Sequence, residues 1–299
     1  LKTLSMPSKT TSQLNIKQAL NSASLFLRDT STSAWLDAEV LLGFALKKDR
    51  SYLLSHGEKT LTSTQEKTFT KLVTRRSRYE PIAYILGHKE FYGLDFKVTK
   101  HTLVPRPESE LMIEEAIQTI NPRKKVLVID IGTGSGCLCI TLLHELKKKK
   151  IQSKGIALDI SPKALAVAKQ NAKRLKVNNI TFLKSNLLTA ILKKPSLLKN
   201  TNQIIILANL PYLTLKEIRK EKSISKEPKL ALDGGKDGLG LYRNLKKQLD
   251  SLKHSVPLTI LCEINPHQVT NFRKIWKGKV VFKKDLGDRE RVGIIRKNR

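Results

Sequence analysis

The sequence lacks the features that mark secreted, membrane-spanning and metal-binding proteins. Its three cysteines, Cys137, Cys139 and Cys262, form no CxxC pair, and an odd number of unpaired thiols is typical of a reducing cytoplasm. The six histidines are scattered without the spacing of metal ligands, so we expect no metal site. No apolar run approaches the length of a membrane span, and the polar stretch 1–15 has no signal-peptide core. We therefore expect a tail at that end and no membrane partner.

Acidic residues are scarce relative to basic ones. Lysine and arginine total 56 against 26 aspartates and glutamates, which gives a formal net charge of +30. A surface of that charge favours a weak contact with nucleic acid, the ribosome or an acidic partner. The alternative is coding bias, because the excess is mostly lysine and is spread along the chain. Both interpretations stay open, since net charge bears on solubility and encounter and not on fold.

Glycine and proline are also nearly absent from residues 12–78, where the apolar residues recur at helical spacing. Apolar faces around Leu20, Leu41 and Leu72 predict three helices, the second entered through the possible caps at 31–33 and the third through Thr62. The pattern predicts a small helical domain over residues 1–79.

The spacing of apolar residues changes between Ile82 and Val104. Residues 84–87 and 90–98 look like short strands around a glycine turn, which predicts a β-hairpin linker over 80–104. The stiff segment 105–107 then indicates a boundary before a helix.

From Val126 onward, short apolar strands alternate with helices. The predicted strands cover 126–130, 155–159, 180–183, 204–208 and 258–263, with two more near Val280 and Gly293, and the predicted helices cover 108–120, 138–150, 163–175 and 239–252. This alternation predicts a doubly wound, largely parallel α/β sheet over residues 105–299. Ligands of such sheets bind beyond the carboxyl ends of the strands, where Asp130, Asp159 and Asn209 are placed.

A glycine-rich loop, DIGTGSG at 130–136, follows the first of these strands. Three glycines at alternate positions let the chain turn sharply and let a ligand approach the backbone, so we expect a nucleotide-type ligand here. The dinucleotide pattern GxGxxG is not met, because position 137 is a cysteine. Asp159, which ends the next strand, is expected to accept hydrogen bonds from ribose hydroxyls, with a helix N-cap as the alternative.

The fourth strand ends in Asn209-Leu210-Pro211-Tyr212 (NLPY). The Asn209 side chain and the Leu210 carbonyl can each accept an N–H, because Pro211 biases Leu210 towards extended backbone. Tyr212 supplies a flat face. These groups describe a cradle for an amino group on an sp² carbon, in which two acceptors push electron density onto the nitrogen and align it with a methyl donor. A plain turn after a strand is the alternative.

The sequence resembles the HemK/PrmC-type peptide chain release factor glutamine methyltransferases from about residue 80 to the C-terminus. The segments that carry the resemblance are EPIAYILGHKEFYGLDF (80–96), LVPRPESE (103–110), DIGTGSG (130–136), ALDIS (157–161), ANLPY (208–212), EPKLALDGGKDGLGLYR (227–243) and DLGDRERV (285–292). The stretch 80–110 is the specific part, since the glycine loop occurs in many methyltransferases.

The resemblance implies a seven-stranded, Rossmann-like methyltransferase sheet, S-adenosylmethionine as cofactor, and an N-terminal helical domain that grips the protein substrate. It implies methylation of the side-chain amide of the glutamine in the GGQ loop of release factors, with the catalytic cradle at NLPY. The positions implied or expected for the cofactor are Asp130, Gly132, Thr133, Gly134, Ser135, Gly136, Asp159, Asn186, Leu187 and Asn209. Arg106, Pro107 and Glu108 match a segment beside the active site and receive no firm role.

Departures from the family pattern occur at three places in the sequence. Leu210 stands where the family has the first proline of NPPY, although the accepting carbonyl is kept. Asn186 and Leu187 stand where the family has an aspartate and an aromatic residue near adenine. Asn186 can still accept from an amino group, and Leu187 can pack on the ring. Asn265 stands where the family tends to have glycine.

Two other functions remain open from the residues. The same cradle fits an exocyclic amine of adenine or guanine, and the basic charge would help a nucleic acid methyltransferase to bind phosphates. A non-catalytic binding protein on a methyltransferase scaffold is the third hypothesis. The lack of an added nucleic-acid-binding module and the intact Gly132, Asp159, Asn209 and Tyr212 favour the release factor hypothesis.

Overall fold

The computed structural model describes residues 13–297, so most of the stretch predicted as a tail lies outside the described residues. The chain divides into two compact units. The first contains the described residues up to Gly87 together with Glu221–Lys226, and the second contains His88–Lys220 and the residues from Glu227 onward. The boundary falls inside the predicted linker, and a short internal segment belongs to the helical unit. No helix within 13–297 is long and apolar enough to cross a membrane.

The first unit is helical, as the sequence predicts. Its helices are α1 (Ile16–Leu27), α2 (Ala34–Leu46), α3 (Arg50–Ser55), α4 (Ser63–Arg76) and α5 (Ile82–Leu86). Asn15 and Thr62 begin α1 and α4 with capping boxes, in which the cap and a glutamine three residues later bond each other's backbone N–H. Ser33 begins α2, but its side chain makes no capping hydrogen bond. In the internal segment, the Lys222 ammonium lies 5.9 Å from the ring centroid of Tyr79.

The prediction of a strand at residues 84–87 is wrong, because these residues form the end of α5. A five-residue apolar run fits a helix turn and a strand equally well, and periodicity cannot separate the two. Gly87 ends α5 at a φ of 84°, a left-handed conformation that suits glycine. The hairpin lies just beyond it, where β1 (His88–Phe91) pairs antiparallel with β2 (Leu94–Lys97).

A seven-stranded sheet forms the centre of the second unit, which confirms the predicted fold class. Its strands are β3 (Val126–Ile131), β4 (Ser153–Asp159), β5 (Ile180–Lys184), β6 (Gln203–Ala208), β7 (Leu258–Glu263), β8 (Val281–Lys284) and β9 (Glu290–Lys297). Their spatial order is β5-β4-β3-β6-β7-β9-β8. Only β9 runs antiparallel to its neighbours, β7 and β8. Every residue of β3, β6 and β7 is buried, as expected for parallel strands covered on both faces.

Helices cover both faces of this sheet. They are α6 (Glu110–Thr119), α7 (Cys137–Lys148), α8 (Pro162–Arg174), α9 (Thr189–Lys193), α11 (Gly240–Ser251) and α12 (Val269–Ile275). The short helix α10 (Leu215–Lys220) buries none of its residues. Buried residues of α6, α7 and α8 form one apolar core with the hairpin residues Phe91 and Phe96. Those of α9, α11 and α12 form the other. Alternate residues of β3 enter the two cores, since Val128 belongs to the first and Ile129 to the second.

The order of the strands reverses between β3 and β6. From β3 the chain winds outward to β4 and β5, and it then returns to the other side of β3 to form β6 and β7. Ile131 pairs with Ala208, so the loops that follow β3 and β6 start side by side. This arrangement is a topological switch point, the place where doubly wound sheets bind ligands.

Replacing Gly155 with alanine should destabilise the second unit by about 1–3 kcal/mol, because the added group would overpack the core. A Cβ at this position of β4 would lie 2.7 Å from Leu143 Cδ1 and 3.0 Å from Cys139 Sγ. Urea denaturation measures the change in the free energy of unfolding. The matched control is Thr181→Ala at an exposed position of the neighbouring β5, which should change stability by less than about 0.5 kcal/mol. Equal stability of the two variants would contradict the tight packing.

Candidate active site

A cavity of about 240 Å³ lies at the switch point, within the second unit. Its walls include Gly132, Gly134, Asp159, Asn186, Leu187, Asn209, Leu210 and Pro211. Two loops that the sequence did not connect with the site also contribute to the walls, through residues 100–103 and through Pro228, Leu230 and Ala231. The structure thus brings together most of the predicted site residues, although they come from the ends of four different strands.

The glycine loop between β3 and α7 adopts left-handed backbone at Gly132, Gly134 and Gly136, with φ of 71°, 55° and 83°. Gly132 and Gly134 line the cavity. A Cβ on Gly132 would lie 3.4 Å from Leu210 Cδ2, in the space that a ligand at the cavity wall would use. Gly136 is not on the wall, and a Cβ there would lie 2.7 Å from Ile140 Cδ1. Its lack of a side chain therefore serves the packing of α7.

Asp130 is buried at the end of β3 and shapes the loop. One of its carboxylate oxygens accepts hydrogen bonds from the Thr133 hydroxyl at 2.6 Å and from the Cys139 N–H at 3.3 Å. Burial raises the pKa of Asp130 to about 7. The Ser135 carbonyl accepts from the Asn171 amide at 2.8 Å. Asp130, Thr133 and Ser135 lie off the cavity wall, so their predicted contacts with a cofactor stay predictions.

Asp159 ends β4 on the cavity wall. Its two oxygens accept the Gly134 N–H at 2.9 Å and the Ser161 N–H at 2.8 Å, which ties the glycine loop to the start of α8. The helix cap is Ser161, whose hydroxyl accepts the Ala164 N–H at 3.2 Å, so the alternative of Asp159 as the cap is wrong. Burial raises the pKa of Asp159. A carboxylate has about four acceptor sites, so this one keeps acceptor capacity for a ligand hydroxyl.

The amide of Asn209 is held on its nitrogen side. Nδ2 donates to Glu263 Oε2 at 2.8 Å and to Ser109 Oγ at 3.0 Å, and the Ser109 hydroxyl itself donates to Glu263. The reverse orientation would set the amide oxygen against a carboxylate, so the hydrogen-bond network selects this one. No described residue donates to Asn209 Oδ1 or to the Leu210 carbonyl. Both predicted acceptors are therefore unpaired.

Tyr242 of α11 fixes the backbone beside Asn209, and the sequence analysis did not identify it. Its buried hydroxyl accepts the Leu210 N–H at 3.3 Å and shares its own proton between the carbonyls of Ala208, at 3.2 Å, and Glu263. The ends of β6 and β7 are thereby joined through one side chain. A buried tyrosine hydroxyl needs partners, and this need is the one local signal that could have pointed to it.

Tyr212 is half-buried, and its hydroxyl donates to Glu263 Oε1 at 3.3 Å. Burial and the nearby carboxylate raise the pKa of Tyr212. The residue lies outside the wall of this cavity, so its predicted packing on a substrate amide stays a prediction.

Asn186 and Leu187, which follow β5, both line the cavity. Leu187 has a φ of 52°, which is uncommon for a leucine. Ser185 supports this conformation, since its hydroxyl donates to the Leu187 carbonyl at 2.7 Å and accepts the Ala190 N–H at 3.0 Å. Asn186 and Leu187, which replace the family's aspartate and aromatic residue, are therefore held on the cavity wall. The resemblance predicts that adenine binds beside them.

Arg106, which the sequence left without a role, pairs with the buried carboxylate of Glu227. Glu227 also accepts the Val104 N–H at 3.0 Å. These contacts join the LVPRPESE and EPKLAL segments. One residue of each segment, Leu103 and Pro228, lines the cavity.

Comparison with known proteins gives matches along most of the chain. Residues 18–87 match the family model of the PrmC N-terminal domain, and residues 122–227 match that of a methyltransferase domain. The release factor glutamine methyltransferase of Koribacter versatilis is 38% identical over 79% of this chain and 81% of its own length. That of Dictyoglomus turgidum is 36% identical over 88% of this chain and 92% of its own. Among solved structures, a methyltransferase from Pyrococcus furiosus is 18% identical with a TM-score of 0.45, covering 76% of this chain and 99% of that one.

Replacing Asp159 with alanine should weaken the binding of S-adenosylmethionine by about 2–3 kcal/mol, because the two charge-assisted hydrogen bonds predicted between Asp159 and the ligand would be lost. Titration calorimetry measures the affinity directly. Asp288→Ala is the control, since Asp288 is an exposed carboxylate on the β8–β9 turn, paired with Lys284 and away from the cavity. Unchanged affinity in the Asp159 variant would remove this residue from the binding site.

Proposed function

The chain belongs to the release factor glutamine methyltransferase family, and we propose that it methylates the side-chain amide nitrogen of a glutamine in peptide chain release factors. Relatives of that name are 33–38% identical to it over most of their length. The observation that carries the chemistry is the pair of unpaired acceptors, Asn209 Oδ1 and the Leu210 carbonyl, on two residues of the cavity wall. The comparisons do not favour the nucleic acid and non-catalytic alternatives, because these relatives are named for a release factor substrate.

The residues around the cavity fit the cofactor of this reaction, S-adenosylmethionine. Gly132 and Gly134 keep the wall clear of side chains, and Asp159 retains acceptor sites for ribose hydroxyls. Asn186 offers an amide to an amino group, and Leu187 offers an apolar surface to a ring. When bound, this cofactor supplies an electrophilic methyl group.

The chain's own part in the reaction is to hold and polarise the glutamine amide. An amide nitrogen is a poor nucleophile because its lone pair is delocalised into the carbonyl. In this proposal Asn209 Oδ1 and the Leu210 carbonyl accept its two N–H bonds, which orients the nitrogen and shifts electron density onto it. Since both acceptors are fixed before the substrate arrives, no reorganisation is needed at the moment of transfer. The nitrogen sheds a proton once the methyl group has moved, so no strong base is required beforehand.

Leu210, in place of the family's proline, is restrained by a different contact. Its N–H donates to the Tyr242 hydroxyl, a bond that a proline could not make because it has no N–H. Pro211 restrains Leu210 from the other side. The carbonyl that the substrate needs is thus held without the first proline of NPPY.

Asn209→Ala should lower kcat by roughly 10²–10³-fold, because it deletes one acceptor and the orientation that it provides. Cofactor affinity should be nearly unchanged. The assay follows transfer of a labelled methyl group to a release factor that carries the GGQ glutamine. Asn265→Ala is the matched control, since Asn265 also follows a central strand but lies outside the cavity wall. A wild-type rate for the Asn209 variant would mean that NLPY is only a turn after a strand.

We further propose that the enzyme works in the cytoplasm, and that its basic surface aids encounter with the release factor or makes weak contact with the ribosome or nucleic acid. The three cysteines without a disulfide and the net charge of +30 support these proposals.

The charge proposal predicts a salt effect. Between low and physiological ionic strength, kcat/KM should fall steeply while kcat holds, because screening slows encounter and leaves the bound complex alone. Steady-state assays over a salt series measure both constants. A flat response would favour coding bias as the source of the lysines.

A further inference from the structure

Glu263 ends β7 with its side chain buried, and three hydrogen-bond donors converge on its carboxylate. The Ser109 hydroxyl and the Asn209 amide donate to Oε2, and the Tyr212 hydroxyl donates to Oε1. Ser109 precedes α6, whereas Asn209 and Tyr212 follow β6, so the group connects segments that are distant in sequence. An ionised carboxylate is an acceptor only, and it therefore suits all three partners at once.

We propose that Glu263 is a positioning residue for methyl transfer, because it selects the orientation of the Asn209 amide that leaves the oxygen free for the substrate. The inference rests on the proposed function above. The two orientations of an asparagine amide have nearly the same shape, so packing alone does not choose between them. A half-turn of the amide would present an NH₂ group to the N–H bonds of the substrate, and one of the two acceptors would be lost.

Ser109 extends this control. Its hydroxyl carries a single proton, which is donated to Glu263 Oε2, so its lone pairs are left to accept Asn209 Nδ2 at 3.0 Å. Because the carboxylate cannot donate, the Ser109 hydroxyl must donate to it, just as the Asn209 amide does. The Glu263 carboxylate therefore makes both partners of Asn209 Nδ2 acceptors: it accepts directly, and it takes the proton of the Ser109 hydroxyl.

The C-terminal DLGDRERV motif supplies a positive charge beside this carboxylate. Arg291 precedes Val292, which pairs with Glu263 across β7 and β9, and its guanidinium donates twice to Asp285, at 3.2 Å each. Burial raises the pKa of Glu263, and the charge of Glu108 adds to that rise. The Ser109 and Tyr212 hydrogen bonds and the Arg291 charge oppose it, and to that extent they favour the ionised form, which is an acceptor only.

Two substitutions separate the acceptor from the charge. Glu263→Gln keeps an oxygen for Ser109 and Asn209 and can turn its NH₂ group to the Tyr212 hydroxyl, which can rotate to accept. Glu263→Leu removes the acceptor entirely. We expect kcat of the leucine variant to fall by about tenfold or more, up to the loss expected for Asn209→Ala, and kcat of the glutamine variant to stay within about threefold of wild type. KM for the release factor and the calorimetric affinity for S-adenosylmethionine should change little in both.

A double substitution distinguishes positioning from general support of the structure. If Glu263 acts through Asn209, the Asn209→Ala/Glu263→Leu enzyme should be no slower than Asn209→Ala alone. Additive losses, or a glutamine variant as slow as the leucine variant, would overturn the inference. Thermal unfolding checks that each variant is folded, and Ser109→Ala replaces Glu263→Leu in the same cycle if the latter does not fold. A wild-type chain that leaves the release factor unmethylated would overturn the proposed function and this inference with it, whereas wild-type kinetics in a folded Glu263→Leu enzyme would overturn the inference alone.

Discussion

A buried carboxylate at the carboxyl end of β7 joins the parts of the molecule on which the site depends. Glu263 receives donors from Ser109, Asn209 and Tyr212, and its backbone carbonyl accepts the proton of Tyr242. Taking a charge out of water costs several kcal/mol, and only a full set of hydrogen bonds and a nearby cation can offset that cost. The donors come from two segments, since Ser109 precedes α6 whereas Asn209 and Tyr212 both follow β6, and these segments must be held in place around the carboxylate.

The sheet meets that requirement through its topology. The strands β3, β6 and β7 are buried along their whole length, and an apolar core on each face holds their ends in register. Because β3 and β6 lie at the switch point, the glycine loop and the NLPY turn emerge side by side without any special arrangement of the chain. The polar groups of the site are thus held by a sheet whose stability comes from the apolar residues buried on its two faces.

Local patterns predicted the strands, the glycine loop, Asp159 and the NLPY turn, because each has a signature within a few residues. The supporting contacts had none. Ser109 and Glu263 are 154 residues apart in sequence, Arg106 and Glu227 are 121 apart, and Tyr242 and Leu210 are 32 apart. A hydrogen bond between distant segments leaves no periodicity in either of them. One hint was present, since Glu263 ends a buried strand of the sheet as Asp159 does, and Asp130 lies one residue before the end of β3.

The assignment of Glu221–Lys226 to the helical unit has a consequence for biosynthesis. About 130 residues separate Gly87 from this segment, so the helical unit lacks its last piece until most of the sheet has been translated. At about 5–20 residues per second, the delay is on the order of ten seconds. The apolar core of the helical unit is drawn from residues 16–85 alone, so the unit can form before this segment is made. The segment then joins a finished core late, through exposed contacts such as that of Lys222 with Tyr79.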